Sequence, residues 1–163
     1  MKSPKIAIID YGAGNIRSVA KAFEKLGFPP RVTNDPRVLE DADAVILPGV
    51  GAAGDTMHSL AGLGMVEAIG RLVARDRPFF GVCLGLQLLF ESTEEGGVEC
   101  LRLLPGAVKH LPSSVKVPHI GWNSVTPRNG HPVFRGVEDD AYFYFVHSYY
   151  AEPAEEEVVV AET

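Results

Sequence analysis

Cys83 stands at the centre of Gly81-Val82-Cys83-Leu84-Gly85, between the apolar run Pro78-Phe79-Phe80-Gly81-Val82 and a helical pattern that begins near Leu84 and continues through Leu88, Leu89 and Phe90. A nucleophile with glycine two residues to either side is the pattern of a strand-to-helix elbow, here with cysteine in the place of serine. The chemistry accounts for the spacing. A side chain on so sharp a turn takes a strained backbone conformation, and only small neighbours let strand and helix close around it. The turn also sets the sulfur at a helix N-terminus, where the dipole favours the thiolate, and aims the Leu84 amide N–H at a developing oxyanion. An inert cysteine in a packed turn is the alternative; the paired glycines and the strand–helix setting favour the nucleophile. Cys100 has no such setting and reads as structural.

A second candidate is Leu47-Pro48-Gly49-Val50-Gly51, also at the end of an apolar run. Glycines around Val50 let backbone amides face a ligand, as an oxyanion hole requires, although Pro-Gly alone is equally the mark of an ordinary turn. Asp10-Tyr11-Gly12-Ala13-Gly14-Asn15 follows the first apolar run and opens a helix, which raises a dinucleotide-binding loop. That fingerprint needs a third glycine where Arg17 stands, so no cofactor is expected. His119 and His147 show no ligand spacing with Cys83 or with another histidine. They read as hydrogen-bonded structural residues, with no metal site.

These residues need elements to position them. Ile6-Ala7-Ile8-Ile9, Arg31-Val32-Thr33, Ala44-Val45-Ile46-Leu47 and Pro78 to Val82 read as buried strands. Helical spacing lies between them: Ile16, Val19, Ala20, Phe23 and Leu26 mark a helix closed by Gly27, and Leu60, Val66, Ile69, Leu72 and Val73 mark a longer one. The alternation predicts an α/β fold, an open, mostly parallel twisted sheet with helices on both faces, whose ligands bind beyond the carboxyl ends of the strands. After Glu91 the helical period fades. Prolines at 105, 112, 118, 127 and 132 punctuate β-prone pieces such as Lys116-Val117, Tyr142 to Val146 and Val158-Val159-Val160. These are expected to add antiparallel strands and loops to the same sheet.

The chain has 163 residues, enough for one domain. It is 46% hydrophobic and 22% charged, with no apolar run long enough to span a membrane. Fifteen basic against 21 acidic residues give a net charge of −6, and the basic residues are scattered, which argues against nucleic-acid and anionic-membrane partners. The opening Met1-Lys2-Ser3-Pro4-Lys5 passes straight into a short apolar run and does not resemble a secretory leader. With two cysteines no disulfide framework is implied, and the expected compartment is the reducing cytoplasm.

The elbow continues as Leu86-Gln87-Leu88-Leu89-Phe90-Glu91. Together with Asp10 to Asn15, Pro48 to Gly51, Val117-Pro118-His119-Ile120-Gly121-Trp122-Asn123 and Tyr144-Phe145-Val146-His147-Ser148-Tyr149-Tyr150, it closely resembles the glutaminase subunits of imidazole glycerol phosphate synthase. The elbow alone indicates the wider class I glutamine amidotransferases; the other stretches, in this order, narrow the resemblance to the histidine-pathway branch. It covers the whole chain. It implies a heterodimer in which glutamine is hydrolysed to glutamate and the ammonia passes to a (β/α)8-barrel cyclase. The cyclase uses it on a phosphoribulosyl-formimino carboxamide ribotide, making imidazole glycerol phosphate and an aminoimidazole carboxamide ribotide. By the same resemblance Cys83 forms a glutamyl thioester, and Leu84 with Val50 or Gly51 holds the oxyanion. Gly51, Gln87, Ser148 and Tyr149 contact glutamine, and Asn15, Trp122 and Tyr144 face the cyclase.

The family's base is a histidine, oriented by a glutamate, in a Gln-Phe-His-Pro-Glu motif beyond the strand that corresponds to Val158-Val159-Val160. That motif is not found up to Thr163. The expectation is one amidotransferase domain over 1–163 that lacks its C-terminal end, continuing beyond Thr163 or cut there, with the intact upstream motifs favouring continuation. As written the chain is expected to be nearly inactive as a glutaminase, and a version extended through the histidine–glutamate motif to regain activity, with His147 the only local candidate for the base. Two alternatives share the elbow: another class I amidotransferase, and a binding module that docks on a partner without catalysis.

Overall fold

The apolar runs of the N-terminal half become a parallel sheet. In the computed structural model, which describes residues 3–128 and 130–163, the first run is β1 (Ile6–Ile9). Met1 and Lys2, the head of the segment weighed as a leader, lie outside the described residues. α1 (Ile16–Lys25) follows, with Ile16, Val19, Ala20 and Phe23 half-buried. It closes as its sequence predicts: Gly27, at φ 86°, donates to Glu24 O at 3.0 Å and Phe28 donates to Phe23 O at 2.9 Å, the paired bonds of a Schellman motif.

β2 (Arg31–Thr33) pairs parallel with β1. α2 (Pro36–Glu40) is too short to show a helical period, yet its start is written locally: the Asp35 carboxylate accepts from the Arg37 N–H at 3.0 Å, and Pro36 fills the first turn. β3 (Ala44–Gly49) lies between β1 and β4 (Phe79–Cys83), giving the parallel order β2-β1-β3-β4. The single long helix expected between β3 and β4 is two, α3 (Ala53–Gly62) and α4 (Met65–Val73). Gly64, left-handed at φ 67°, breaks the run, a conformation its missing Cβ makes inexpensive. The break lets Leu60 and Met65 both reach the core, each fully buried.

That core lies on one face of the sheet. Ala7, Ile9, Val45 and Leu47 meet Leu39 of α2, Leu60 of α3, and Met65, Ile69 and Leu72 of α4. Each large side chain buried there contributes about 1.5–3 kcal/mol of transfer free energy. By strand alternation Ile8 and Ile46 point to the opposite face, where they too are buried.

Beyond β4 the chain makes α5 (Leu84–Gln87), β5 (Ser92–Thr93), β6 (Val98–Glu99), β7 (Gly106–His110) and β8 (His119–Pro127). β9 (Ala141–His147), β10 (Tyr149–Pro153) and β11 (Ala161–Glu162) follow. These strands do not extend the first sheet. They form two further sheets, ordered β10-β7-β5-β6 and β11-β8-β9, antiparallel throughout except for the β5–β7 pair. The reason lies in α5, which packs back on β3 and β4 and so turns the chain away from the sheet edge. Lys116-Val117, bracketed by Pro112 and Pro118, is irregular instead of a strand, since proline has no N–H for a ladder. Val158 closes a 3-10 turn (Glu156–Val158), and pairing with β8 begins only at Ala161. Among the described residues no helix is long and apolar enough to cross a membrane.

Candidate active site

The elbow forms, and it is strained. Cys83 ends β4 at φ 54° and ψ −116° and is exposed, and Leu84 begins α5. A residue with a Cβ held in this region costs on the order of 1–3 kcal/mol, which the surroundings must offset. Three glycines make the turn possible by close approach. A Cβ on Gly81 would stand 2.6 Å from Gly85 O and from Leu86 N, one on Gly49 would stand 2.5 Å from Gly85 N, and one on Gly85 would run into Leu47 O. The first turn of α5 therefore lies directly on the ends of β3 and β4. α5 itself is shorter than the pattern through Phe90 suggests. Leu89 donates to Leu86 O at 3.1 Å and Phe90 to Gln87 O at 3.3 Å, bonds to the third residue back that tighten the chain before Glu91 N–H joins Gly106 O at 3.1 Å.

Parallel register sets Gly49 opposite Cys83. Val50, 49% exposed, and Gly51, at φ 96°, follow at once, so the turn named from sequence lies beside the sulfur-bearing residue. The Leu84 N–H is in the first helical turn, where amides have no partner within the helix.

Gln87 Nε2 donates to Tyr149 O at 3.2 Å, across 62 positions of sequence. The same carbonyl accepts from His147 Nδ1 at 2.9 Å. Ser148 O accepts from Leu111 N–H at 2.9 Å, and the Tyr149 ring stands edge-on to His110 at 5.1 Å. Gln87, the last residue of α5, is thereby tied to the Ser148–Tyr149 stretch. The Gln87–Tyr149–His147 junction has no signature in sequence. His119 and His147 face each other across β8 and β9, with ring centroids 5.5 Å apart. Among the described residues no three metal-ligating side chains cluster.

Trp122 and Tyr144 are also brought together. They are cross-strand partners on β8 and β9, 65% and 56% exposed, with centroids 5.5 Å apart in an edge-to-face contact. Ile120, Tyr142 and Val146 are exposed on the same side of the two strands, so the pair lies in an apolar stripe. Asn15 is exposed ahead of α1, its side chain making no capping bond.

The two thiols differ. Burial, with the Glu95 carboxylate as a smaller cause, pushes the Cys100 thiol up to about 11, whereas Cys83 is exposed. Raising the folded-state pKa keeps Cys100 protonated at neutral pH, and thiolate appears only as pH climbs toward that value. Iodoacetamide at neutral pH is therefore expected to add one group, at Cys83, and a second only after denaturation. Peptide mass mapping checks this, and equal labelling of both cysteines in the native protein would contradict it.

Residues 7–163 match the family model described as glutamine amidotransferase class-I. The chain belongs to the class I glutamine amidotransferase family. The amidotransferase is 52% identical over 159 residues to imidazole glycerol phosphate synthase subunit HisH of Dehalococcoides mccartyi, covering 97% of this chain and 78% of that one. It is 56% identical over 160 residues to the subunit of the same name from Moorella thermoacetica, covering 97% and 76%. The resemblance read from its motifs is thus borne out. Among solved structures, one titled as a glutamine amidotransferase superposes with a TM-score of 0.77 at 17% identity, over 97% of this chain and 79% of that chain. PurLQS from Thermotoga maritima gives 0.71 at 23%, over 98% and 74%. These two share the amidotransferase fold.

Proposed function

We propose that this chain is the glutaminase subunit of an imidazole glycerol phosphate synthase and that Cys83 is its nucleophile. One observation carries the chemistry: Cys83, held at a positive φ on a glycine-cradled elbow, lies in register with Gly49 and hence beside the Val50–Gly51 amides. The Cys83 thiolate adds to the side-chain amide carbon of glutamine, and the carbonyl oxygen becomes an oxyanion that the Leu84 N–H and an amide of Val50 or Gly51 hold. Collapse of that intermediate breaks the C–N bond, and the nitrogen takes up the proton that the Cys83 thiol gave up and leaves as ammonia. Water then cleaves the thioester to give glutamate and the free thiol. Gly51, Gln87, Ser148 and Tyr149 are the contacts for the rest of the substrate, a reading supported by the Gln87 Nε2 bond to Tyr149 O that ties the end of the elbow helix to the Ser148–Tyr149 stretch. A glutamine-mimicking diazoketone should label Cys83 stoichiometrically in the complex. Absence of labelling would favour the binding module without catalysis.

The ammonia acceptor is a (β/α)8-barrel cyclase, and the Trp122–Tyr144 stripe is the surface that meets it, with Asn15 contributing from the loop ahead of α1. An edge-to-face aromatic pair so largely exposed on a monomer is the type of group that anchors an interface, at about 2 kcal/mol or more on truncation. Replacing Trp122 and Tyr144 together by alanine is expected to weaken cyclase binding about thirtyfold or more, since 1.4 kcal/mol is a factor of ten. Thermal unfolding of the isolated subunit should shift little, because neither ring is buried. Unchanged affinity by calorimetry would exclude the stripe as the docking surface, and loss of the fold would place both rings in this chain's own core.

A further inference from the structure

We propose that His147 is a positioning residue: its imidazole holds the Tyr149 carbonyl and so fixes the corner at Ser148. β9 ends at His147 and β10 begins at Tyr149, yet the two strands belong to different sheets. Ser148 alone makes the crossing. A one-residue crossing lies outside both strands, so its angle depends on what else bonds to the backbone there. Ser148 O accepts from Leu111 N–H at 2.9 Å, which ties the corner to the end of β7. Two side chains converge on Tyr149 O, Gln87 through Nε2 at 3.2 Å and His147 through Nδ1 at 2.9 Å. The ladder leaves that carbonyl to them, because His110, opposite Tyr149 on β7, gives its amide N–H to the Glu94 carboxylate at 2.8 Å.

Of the two, His147 is the one that spans the corner itself, from the last residue of β9 to the first of β10. Its ring is held in turn. His119, its register partner on β8, stands at 80° to it with centroids 5.5 Å apart, and Phe145 lies 5.9 Å away on the same strand. The consequence for function rests on the glutaminase reading above, in which Ser148 and Tyr149 contact glutamine and Gln87 ends the elbow helix. Without the imidazole bond, Gln87 is left as the tie on Tyr149 O, and the corner can pivot and carry both contacts away from α5. In this role His147 touches no substrate atom.

His147→Phe removes the nitrogen and keeps a ring, whereas His147→Asn returns an N–H donor at the covalent position of Nδ1. The Leu111 amide, bonded to Ser148 O, reports on the corner directly. In the full chain bound to its cyclase, its hydrogen exchange is expected to rise about three- to tenfold in His147→Phe, the factor one neutral hydrogen bond supplies, and to stay within about twofold of the parent in His147→Asn. Glutamine affinity, titrated in a Cys83→Ala background so that no turnover intrudes, should weaken by the same factor in the first and hold in the second. His147→Leu, with a smaller side chain, is held to the same numbers should the phenyl ring disturb the fold. Leu111 exchange that rises less than threefold, or His147→Asn behaving as His147→Phe does, overturns the proposal. So does a rise in exchange with glutamine affinity unchanged. Exchange that follows the expected pattern in a complex whose parent binds no glutamine would support the brace and contradict the glutaminase reading, so the two fail separately.

Discussion

Cys83→Ala is expected to abolish glutamine-dependent synthesis by the assembled synthase, since the nucleophile is lost outright. Synthesis from added ammonia should stay within about twofold, because the ammonia-consuming chemistry belongs to the partner's site. The variant should not gain stability. Alanine at φ 54° and ψ −116° meets the same steric penalty as cysteine, whereas Cys83→Gly escapes it and should unfold later in denaturant by about 1 kcal/mol or more. The two substitutions separate chemistry from strain: both abolish glutamine use, and only glycine relaxes the turn. Assays with glutamine and with ammonium salt decide the first point. Equal loss of both activities would place Cys83 in the scaffold instead of the reaction.

The elbow was legible in sequence because everything it needs is local. Gly81 and Gly85 are separated from Cys83 by one residue each, and their neighbours announce strand and helix. The third member of the cradle was legible only in part. Gly49 reads as a turn residue, but its 2.5 Å approach to Gly85 N is a meeting of distant segments that no local pattern encodes. The same holds for the carbonyl of Tyr149, shared by Gln87 and His147, since a backbone acceptor carries no side-chain signature. In the aromatic run Tyr142 to Val146 the strand was evident and its faces were not. Every residue is apolar or aromatic, so the polarity alternation that usually tells outside from inside is missing. The structure puts Tyr142, Tyr144 and Val146 outward and leaves Phe145 and His147 half-buried. The further sheets were illegible for another reason: β5, β6 and β11 are two residues each, and their pairing depends on how α5 redirects the chain.

Gly85→Ala should cost more stability than any other single methyl added to this chain's helices, about 3 kcal/mol or more. Helix propensity argues the other way, since alanine outranks glycine by about 1 kcal/mol inside a helix. Sterics win here because the new Cβ would run into Leu47 O, a carbonyl of the fully buried residue at the middle of β3, itself held between β1 and β4. A strand so placed cannot yield without disturbing both neighbours. Gly70 is the control: it lies inside α4, a Cβ there would meet nothing within 4 Å, and Gly70→Ala should be neutral or stabilising by up to about 1 kcal/mol. Denaturant titration of the two variants measures the difference directly, and thermal midpoints should move by roughly 2–4 °C for each kcal/mol. If Gly85→Ala stays folded by letting α5 lift off β3, Cys83 moves with it, away from the Val50–Gly51 amides, and glutamine turnover falls although the thiol remains. A Gly85→Ala protein with parental stability and parental turnover would show that the close approach of α5 to Leu47 is not what holds the elbow in place.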